Sequence, residues 1–188
     1  MWPRIRRVGW LYGAGALLLG TCVWQVTLIS GRISRHAAWV SEGDHLPSVP
    51  VMYRGIELAL DFDALGSCTY VVLFSPSCPF CQEVAPRWAR EFAGSSGRTA
   101  LALSLSDWAE AEAFAKAYAL RLPVVATGQE RATATAARLG VLAVPTILLL
   151  GHKGRVAAVA GGTSYELSEL ANAAGCATSP KAPVTSTS

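Results

Sequence analysis

Apolar residues follow three patterns along this chain, and each pattern predicts a different kind of element. Between Val8 and Ile29 no residue is charged. As a helix rising 1.5 Å per residue, that stretch spans a hydrocarbon core of roughly 30 Å, which predicts a transmembrane segment. Tyr70–Phe74 and Ala100–Leu105 are short apolar runs without helical period, as in strands buried on both faces. Helical stretches separate the strands. Pro79 to about Phe92 reads as one, and Asp107-Trp108-Ala109-Glu110 resembles a capping box that opens a second, running to about Tyr118. Arg131–Leu139 is a third, closed by Gly140, and about Tyr165 to Ala174 a last one. Thr146–Leu150 and Arg155–Ala160, joined by Gly151-His152-Lys153-Gly154, predict a β-hairpin. Strands alternating with helices, followed by a hairpin and a terminal helix, predict an α/β domain: a mixed sheet with helices on both faces.

Polar stretches set the boundaries. From Gly31 to about Pro50 the chain is polar, basic and broken by prolines, which predicts a spacer, placed at 31–44, ahead of a domain at 45–176. Residues 177–188 are Ser, Thr, Pro, Ala and Val with one Lys, too poor in large apolar residues to pack, and are expected to be a disordered tail. Residues 1–30 are read as a cytoplasmic N-terminus and anchor.

Charge refines the anchor. The net charge of +3 is carried by Arg4, Arg6 and Arg7, and from Gly31 onward acids and bases cancel. Without a basic patch interleaved with aromatics, nucleic-acid binding is excluded as a class. Arginines before the apolar run, with Trp2, Trp10 and Trp24 toward its ends, orient it with the N-terminus inside and the domain exported. A cleaved signal peptide is the competing reading, but the run is long for one and no small-x-small cleavage site follows it cleanly. Cys22 follows Leu18-Leu19-Gly20-Thr21, a poor lipoprotein processing site, and reads as an apolar membrane cysteine. With 188 residues, 52% of them apolar, the chain holds one ordinary domain beyond these ends.

Phe74-Ser75-Pro76-Ser77-Cys78-Pro79-Phe80-Cys81-Gln82 carries the chemistry: a C-x-x-C where a buried strand ends and a helix begins. A helix N-terminus favours thiolate at the first cysteine through its dipole and free N–H groups. Pro79 suits the first helical turn, where its missing N–H has no partner to lose. Cys78 is thus the exposed nucleophile, and Cys81, one turn in, the more buried resolving thiol. Half of a zinc site needs two further ligands, and His36, His45 and His152 are scattered, so no metal or other cofactor is expected. A purely structural disulfide is a poor use of this strained ring.

These residues resemble the active site of the thioredoxin superfamily, and about Gly43 to Ala174 is similar to the TlpA/ResA-like membrane-anchored thioredoxins. Gly43-Asp44-His45-Leu46-Pro47 ahead of the first strands, Pro86 in the helix, and Leu139-Gly140-Val141-Leu142-Ala143-Val144-Pro145-Thr146 carry the rest of the likeness. The resemblance implies a cis Pro145 lying against the redox pair. It also implies a substrate groove formed by Pro79, Phe80, Val144, Pro145 and Thr146. Ser75-Pro76-Ser77 replaces the usual tryptophan-containing approach and is closer to the MauD-like proteins linked to methylamine dehydrogenase maturation. The family's acidic tuning residues fall near Val72 and at Val84, and neither can ionise. Glu83 is adjacent, but one helical step turns a side chain by about 100°. In the implied topology Cys68 and Cys176 lie opposite the active site and are expected to pair, two free thiols being the alternative.

The function implied is thiol–disulfide exchange with protein clients and a membrane or periplasmic redox partner, on the extracytoplasmic side of a bacterial inner membrane. Reduction of apo-protein cysteines and disulfide formation in a client enzyme are the two duties considered. A non-catalytic adaptor or Cu(I) metallochaperone using the same cysteines is the alternative, although Met52 is the only methionine after the first residue. A peroxiredoxin-type peroxidase has a different local cysteine motif.

Overall fold

The computed structural model describes residues 40–93 and 98–176. The expected transmembrane segment, Cys22, His36, most of the spacer and the tail lie outside the described residues. Among those described, no helix is long and apolar enough to cross a membrane.

The first two strands are β1 (Val49–Tyr53) and β2 (Ile56–Leu60), joined by Arg54 and Gly55. Both joining residues have positive φ, 52° and 81°, as a two-residue type I′ hairpin turn requires. Next come β3 (Thr69–Phe74), α1 (Pro79–Glu91), β4 (Thr99–Ser104) and α2 (Trp108–Ala117). The chain continues with β5 (Val124–Ala126), α3 (Ala132–Arg138), β6 (Thr146–Leu150), β7 (Val156–Gly161) and α4 (Leu167–Ala173). Among the described residues the seven strands make one sheet in the order β2-β1-β5-β4-β3-β6-β7. The pairs β3–β4 and β4–β5 are parallel, and the others are antiparallel.

Strand alternation divides the core into two layers. Tyr70, Val72 and Phe74 of β3, with Ile147 and Leu149 of β6, face one layer, while Val71, Leu73, Leu148 and Leu150 face the other. That division explains the uninterrupted apolar runs, because a central strand covered on both sides has no polar face. The first layer is closed by α1, which buries Cys81, Val84, Ala85 and Trp88 at helical spacing, together with Phe114 of α2 and Leu167 and Leu170 of α4. The second layer holds Val49 and Val51 of β1, Phe62, and Leu139 and Val141 after α3.

Three sequence expectations are corrected. Val40, placed in the spacer, is 8% exposed in the second layer, and its N–H donates to the Gly140 carbonyl at 2.9 Å. Gly43 donates to Val156, so the packed domain begins by residue 40 rather than 45. The capping box before α2 does not form. Asp107 makes no side-chain cap bond, and its carboxylate instead accepts the Gln129 N–H at 2.8 Å, bracing the loop after β5. Finally, α3 is preceded by a single 3-10 turn at Gln129–Arg131, so the regular helix starts one residue later than expected.

Two side-chain clusters fix the periphery. Trp88 Nε1 donates to the Tyr165 hydroxyl at 2.6 Å, and the Arg87 guanidinium lies 4.5 Å from the Tyr165 ring centre while donating to the Tyr165 carbonyl. These bonds tie α1 to the segment leading into α4. Beside the other core layer, which holds Phe62, Gly154 has φ +62° and packs against the turn at Phe62–Ala64. A Cβ there would lie 2.5 Å from Asp63 Oδ1 and 2.8 Å from the Asp63 nitrogen. Gly154→Ala therefore combines left-handed strain with overpacking and is expected to destabilise the domain by about 2–3 kcal/mol, read as a lower denaturant midpoint with unchanged slope.

Candidate active site

Cys78 is the N-cap of α1, in extended conformation with φ −80° and ψ 119°, and Pro79 follows at the first helical position. The fixed φ of proline starts the helix there, and the Gln82 N–H closes the first turn on the Cys78 carbonyl at 3.1 Å. The approach to the site is braced locally. Ser75 and Ser77 hydroxyls lie 3.0 Å apart, Cys78 donates its N–H to Ser75, and the Gln82 amide donates to the Pro76 carbonyl at 2.8 Å. Nothing in the type or spacing of Gln82 reveals in the sequence that it reaches back across the turn.

The two cysteines occupy different environments. Cys78 is half-buried and Cys81 is completely buried, and both carry free thiols. Burial pushes the Cys81 thiol up to about 12, with the hydrogen bond and charge of the Cys78 sulfur adding to the rise and a backbone bond from Ser75 opposing it. Cys81 shares its core layer with Val72 and Val84, which are 0% and 5% exposed, and Glu83 faces solvent. A carboxylate base beside Cys81 is therefore not supplied at the positions where the resemblance would place one.

Val144-Pro145 is a cis peptide bond. The Cys78 thiol donates to the Val144 carbonyl at 3.5 Å, a contact that bridges 66 residues of sequence. The structure thus brings together the C-x-x-C and the Val-Pro-Thr segment. The groove residues read from sequence separate into two kinds. Pro79 and Phe80 are exposed, Phe80 by 60%, and Val144 is half-buried, so these three present surface. Pro145 and Thr146 are buried, and the Thr146 hydroxyl donates to Ala143 at 2.7 Å. Thr146 therefore shapes the turn instead of offering its hydroxyl to a substrate. Leu142, 50% exposed in the same loop, adds an apolar side chain that no sequence pattern marks.

The metal alternatives need further ligands here. Met52 lies on β1, separated from β3 by β5 and β4, which at about 4.8 Å per strand is roughly 14 Å. His45 pairs with Asp63 at 2.8 Å, and His152 follows the end of β6 remote from Pro145. Among the described residues no three His, Cys, Asp or Glu side chains gather as a metal would need.

At the end of β3 opposite Cys78, Cys68 and Cys176 form a disulfide with Cα atoms 5.6 Å apart. It joins the residue before β3 to the chain three residues past the end of α4.

Once Cys78 is held in a mixed disulfide, the contributions of its sulfur to the Cys81 shift vanish, but burial remains. Attack by Cys81 needs its thiolate, whose fraction grows about tenfold per pH unit well below the pKa. Release of a client from Cys78 in single turnover is accordingly expected to accelerate with pH across about pH 6–8. A flat profile would point to a proton acceptor beside Cys81.

No family model and no curated protein matches the chain. Solved structures do. A thiol:disulfide interchange protein DsbE of Chlorobium tepidum is 21% identical with a TM-score of 0.59, covering 72% of this chain and 98% of that one. A thio-disulfide isomerase of Thermus thermophilus is 22% identical with a TM-score of 0.57 over the same shares. A secreted disulfide oxidoreductase of Mycobacterium tuberculosis is 16% identical with a TM-score of 0.51, covering 67% of this chain and 93% of that one. At these identities the likeness establishes the fold, which is thioredoxin-like.

Proposed function

We propose that this chain is a thiol–disulfide oxidoreductase whose working couple is Cys78–Cys81. The observation that carries the reading is the half-buried thiol of Cys78 at a helix start, 3.5 Å from the carbonyl preceding a cis proline, with a fully buried second thiol one turn in. In the reducing direction the Cys78 thiolate attacks one sulfur of a client disulfide, and the other client sulfur leaves as thiolate. Cys81 then attacks Cys78 Sγ, releasing the second client sulfur and closing the Cys78–Cys81 disulfide. Two electrons pass to the client, and each departing sulfur takes up a proton. Disulfide donation is the same sequence reversed, and a partner dithiol or disulfide resets the couple.

Three further elements belong to the proposal. The clients are proteins, read through the surface of Pro79, Phe80, Leu142 and Val144 beside Cys78. The duty is maturation of a redox or metal-cofactor enzyme, in line with the Ser-Pro-x-Cys-Pro-x-Cys form. The domain is tethered by Val8–Ile29 on the extracytoplasmic side of a bacterial inner membrane, a compartment that suits the Cys68–Cys176 disulfide. The named activities of the structural neighbours are compatible with this chemistry.

The test is the reduction of insulin disulfides by dithiothreitol with the full-length protein in detergent. The proposal expects acceleration by the wild type and the uncatalysed rate with Cys78→Ser. Equal rates for both would overturn it. Protease access to the domain in intact spheroplasts tests the placement, which fails if cleavage requires lysis.

A further inference from the structure

Strand β2 forms one edge of the sheet, and every residue from Ile56 to Ala59 is exposed. Natural edge strands are usually blunted by proline, lysine, a bulge or a covering segment. None of the first three is present in Ile-Glu-Leu-Ala-Leu, whose register with β1 is regular from Val49↔Leu60 to Tyr53↔Ile56. Its one charge, Glu57, is paired with Arg131. The apolar residues of β2 lie on a single face. Ile56, Leu58 and Leu60 stand opposite Tyr53, Val51 and Val49, and Val49 and Val51 belong to the second core layer. That layer therefore runs out to the sheet edge and ends in Leu58, 46% exposed, and Ile56, 61% exposed.

The backbone has the same polarity. In a two-residue hairpin the closing pair, here Tyr53 and Ile56, is hydrogen-bonded, and bonded pairs alternate along the ladder. Ile56, Leu58 and Leu60 thus direct their N–H and C=O groups toward β1. Glu57 and Ala59 direct theirs to the free edge. Pro50, opposite Ala59, agrees with this register, because a residue there donates nothing across the β1–β2 ladder.

We propose that β2 is a homodimer interface, pairing antiparallel with β2 of a second copy about a two-fold axis at Leu58. In that register Glu57 and Ala59 of each copy exchange both backbone bonds with Ala59 and Glu57 of the other. Leu58 meets its own counterpart in a closely spaced pair, and Ile56 meets Leu60. One arrangement thereby satisfies the free edge groups and sets the exposed apolar side chains of the two copies side by side. The strand is its own complement, which selects a second copy as the occupant. The sheet then runs continuously through the dimer, and β2 lies at the opposite side of the sheet from β6, leaving Cys78 and Val144 open to clients.

The test is light scattering of the full-length protein in detergent over a concentration series. Wild type is expected to be dimeric, and Leu58→Lys and Leu58→Glu, each placing like charges on the axis, to weaken dimerisation by at least about tenfold. An equimolar mixture of the two variants is expected to recover a dimer, because only a two-fold at position 58 sets Lys against Glu. Ala59→Pro, which removes an outward N–H, is expected to weaken the dimer with insulin reduction intact, so failure to fold is distinguishable. A monomeric wild type, a Leu58→Lys protein as dimeric as wild type, or variants that do not recover on mixing would each overturn the interface.

Discussion

Replacing Cys81 by serine is expected to let the protein begin exchange and prevent it from finishing. Cys78 lies half-buried at the start of α1 and is expected to keep its approach to a client disulfide in this variant, because the substituted side chain is buried and near-isosteric. The client sulfur held on Cys78 then has no internal thiol to displace it. Covalent client complexes accumulate, visible as higher-mass species on non-reducing gels, and turnover falls to the rate at which external thiol releases them. Cys78→Ser abolishes both turnover and trapping. Burial keeps Cys81 from beginning the exchange itself, since it is 0% exposed and cannot meet a protein client.

The second large effect concerns stability. The Cys68–Cys176 bond closes a loop with a sequence separation of 108 residues. Loop-closure entropy assigns such a crosslink about 4–5 kcal/mol. Replacing both cysteines with serine is expected to lower the melting temperature by on the order of 10 °C, while insulin reduction at 25 °C persists because the bond lies at the opposite end of β3 from Cys78. An unchanged melting temperature contradicts a stabilising role. Loss of exchange in a variant that remains folded contradicts the separation of the two cysteine pairs.

Much of this arrangement is legible in the sequence where burial is complete. Strands β3, β4 and β6 stand out as apolar runs because both of their faces are covered, and the C-x-x-C is positioned by the strand and helix around it. The edge hairpin is harder to read. Pro50 interrupts β1, β2 buries nothing fully, and Arg54 occupies a left-handed position that composition alone would assign to glycine or asparagine. Strand β5 has only three residues, Val124–Ala126, and merges into a longer apolar stretch. Asp107 shows a further limit. Its local pattern favours a capping box, but its carboxylate is satisfied by Gln129, 22 residues on, and no local pattern encodes that contact. Val40 likewise packs through a partner a hundred residues away, in a segment whose composition reads as a linker.

At the site, sequence identifies the residue types and the structure supplies their access. Pro145 and Thr146 are buried, whereas Phe80 and Leu142 are exposed and Val144 is half-buried. With valines at positions 72 and 84, the Cys81 thiol is pushed up by burial and by the Cys78 sulfur, with a backbone bond from Ser75 opposing the rise. The couple's potential is therefore set without an adjacent carboxylate at those positions.

That potential is the central quantity. The full-length protein, equilibrated with defined ratios of oxidised to reduced dithiothreitol or glutathione and then alkylated, gives it directly from the fraction of Cys78 and Cys81 protected. The two thiols are expected to disappear together as one two-electron couple joining Cys78 to Cys81, while Cys68–Cys176 stays oxidised. A midpoint near about −270 mV indicates a reductase, and one near about −120 mV a disulfide donor. Cys78 and Cys81 remaining as free thiols at every ratio would contradict the exchange mechanism.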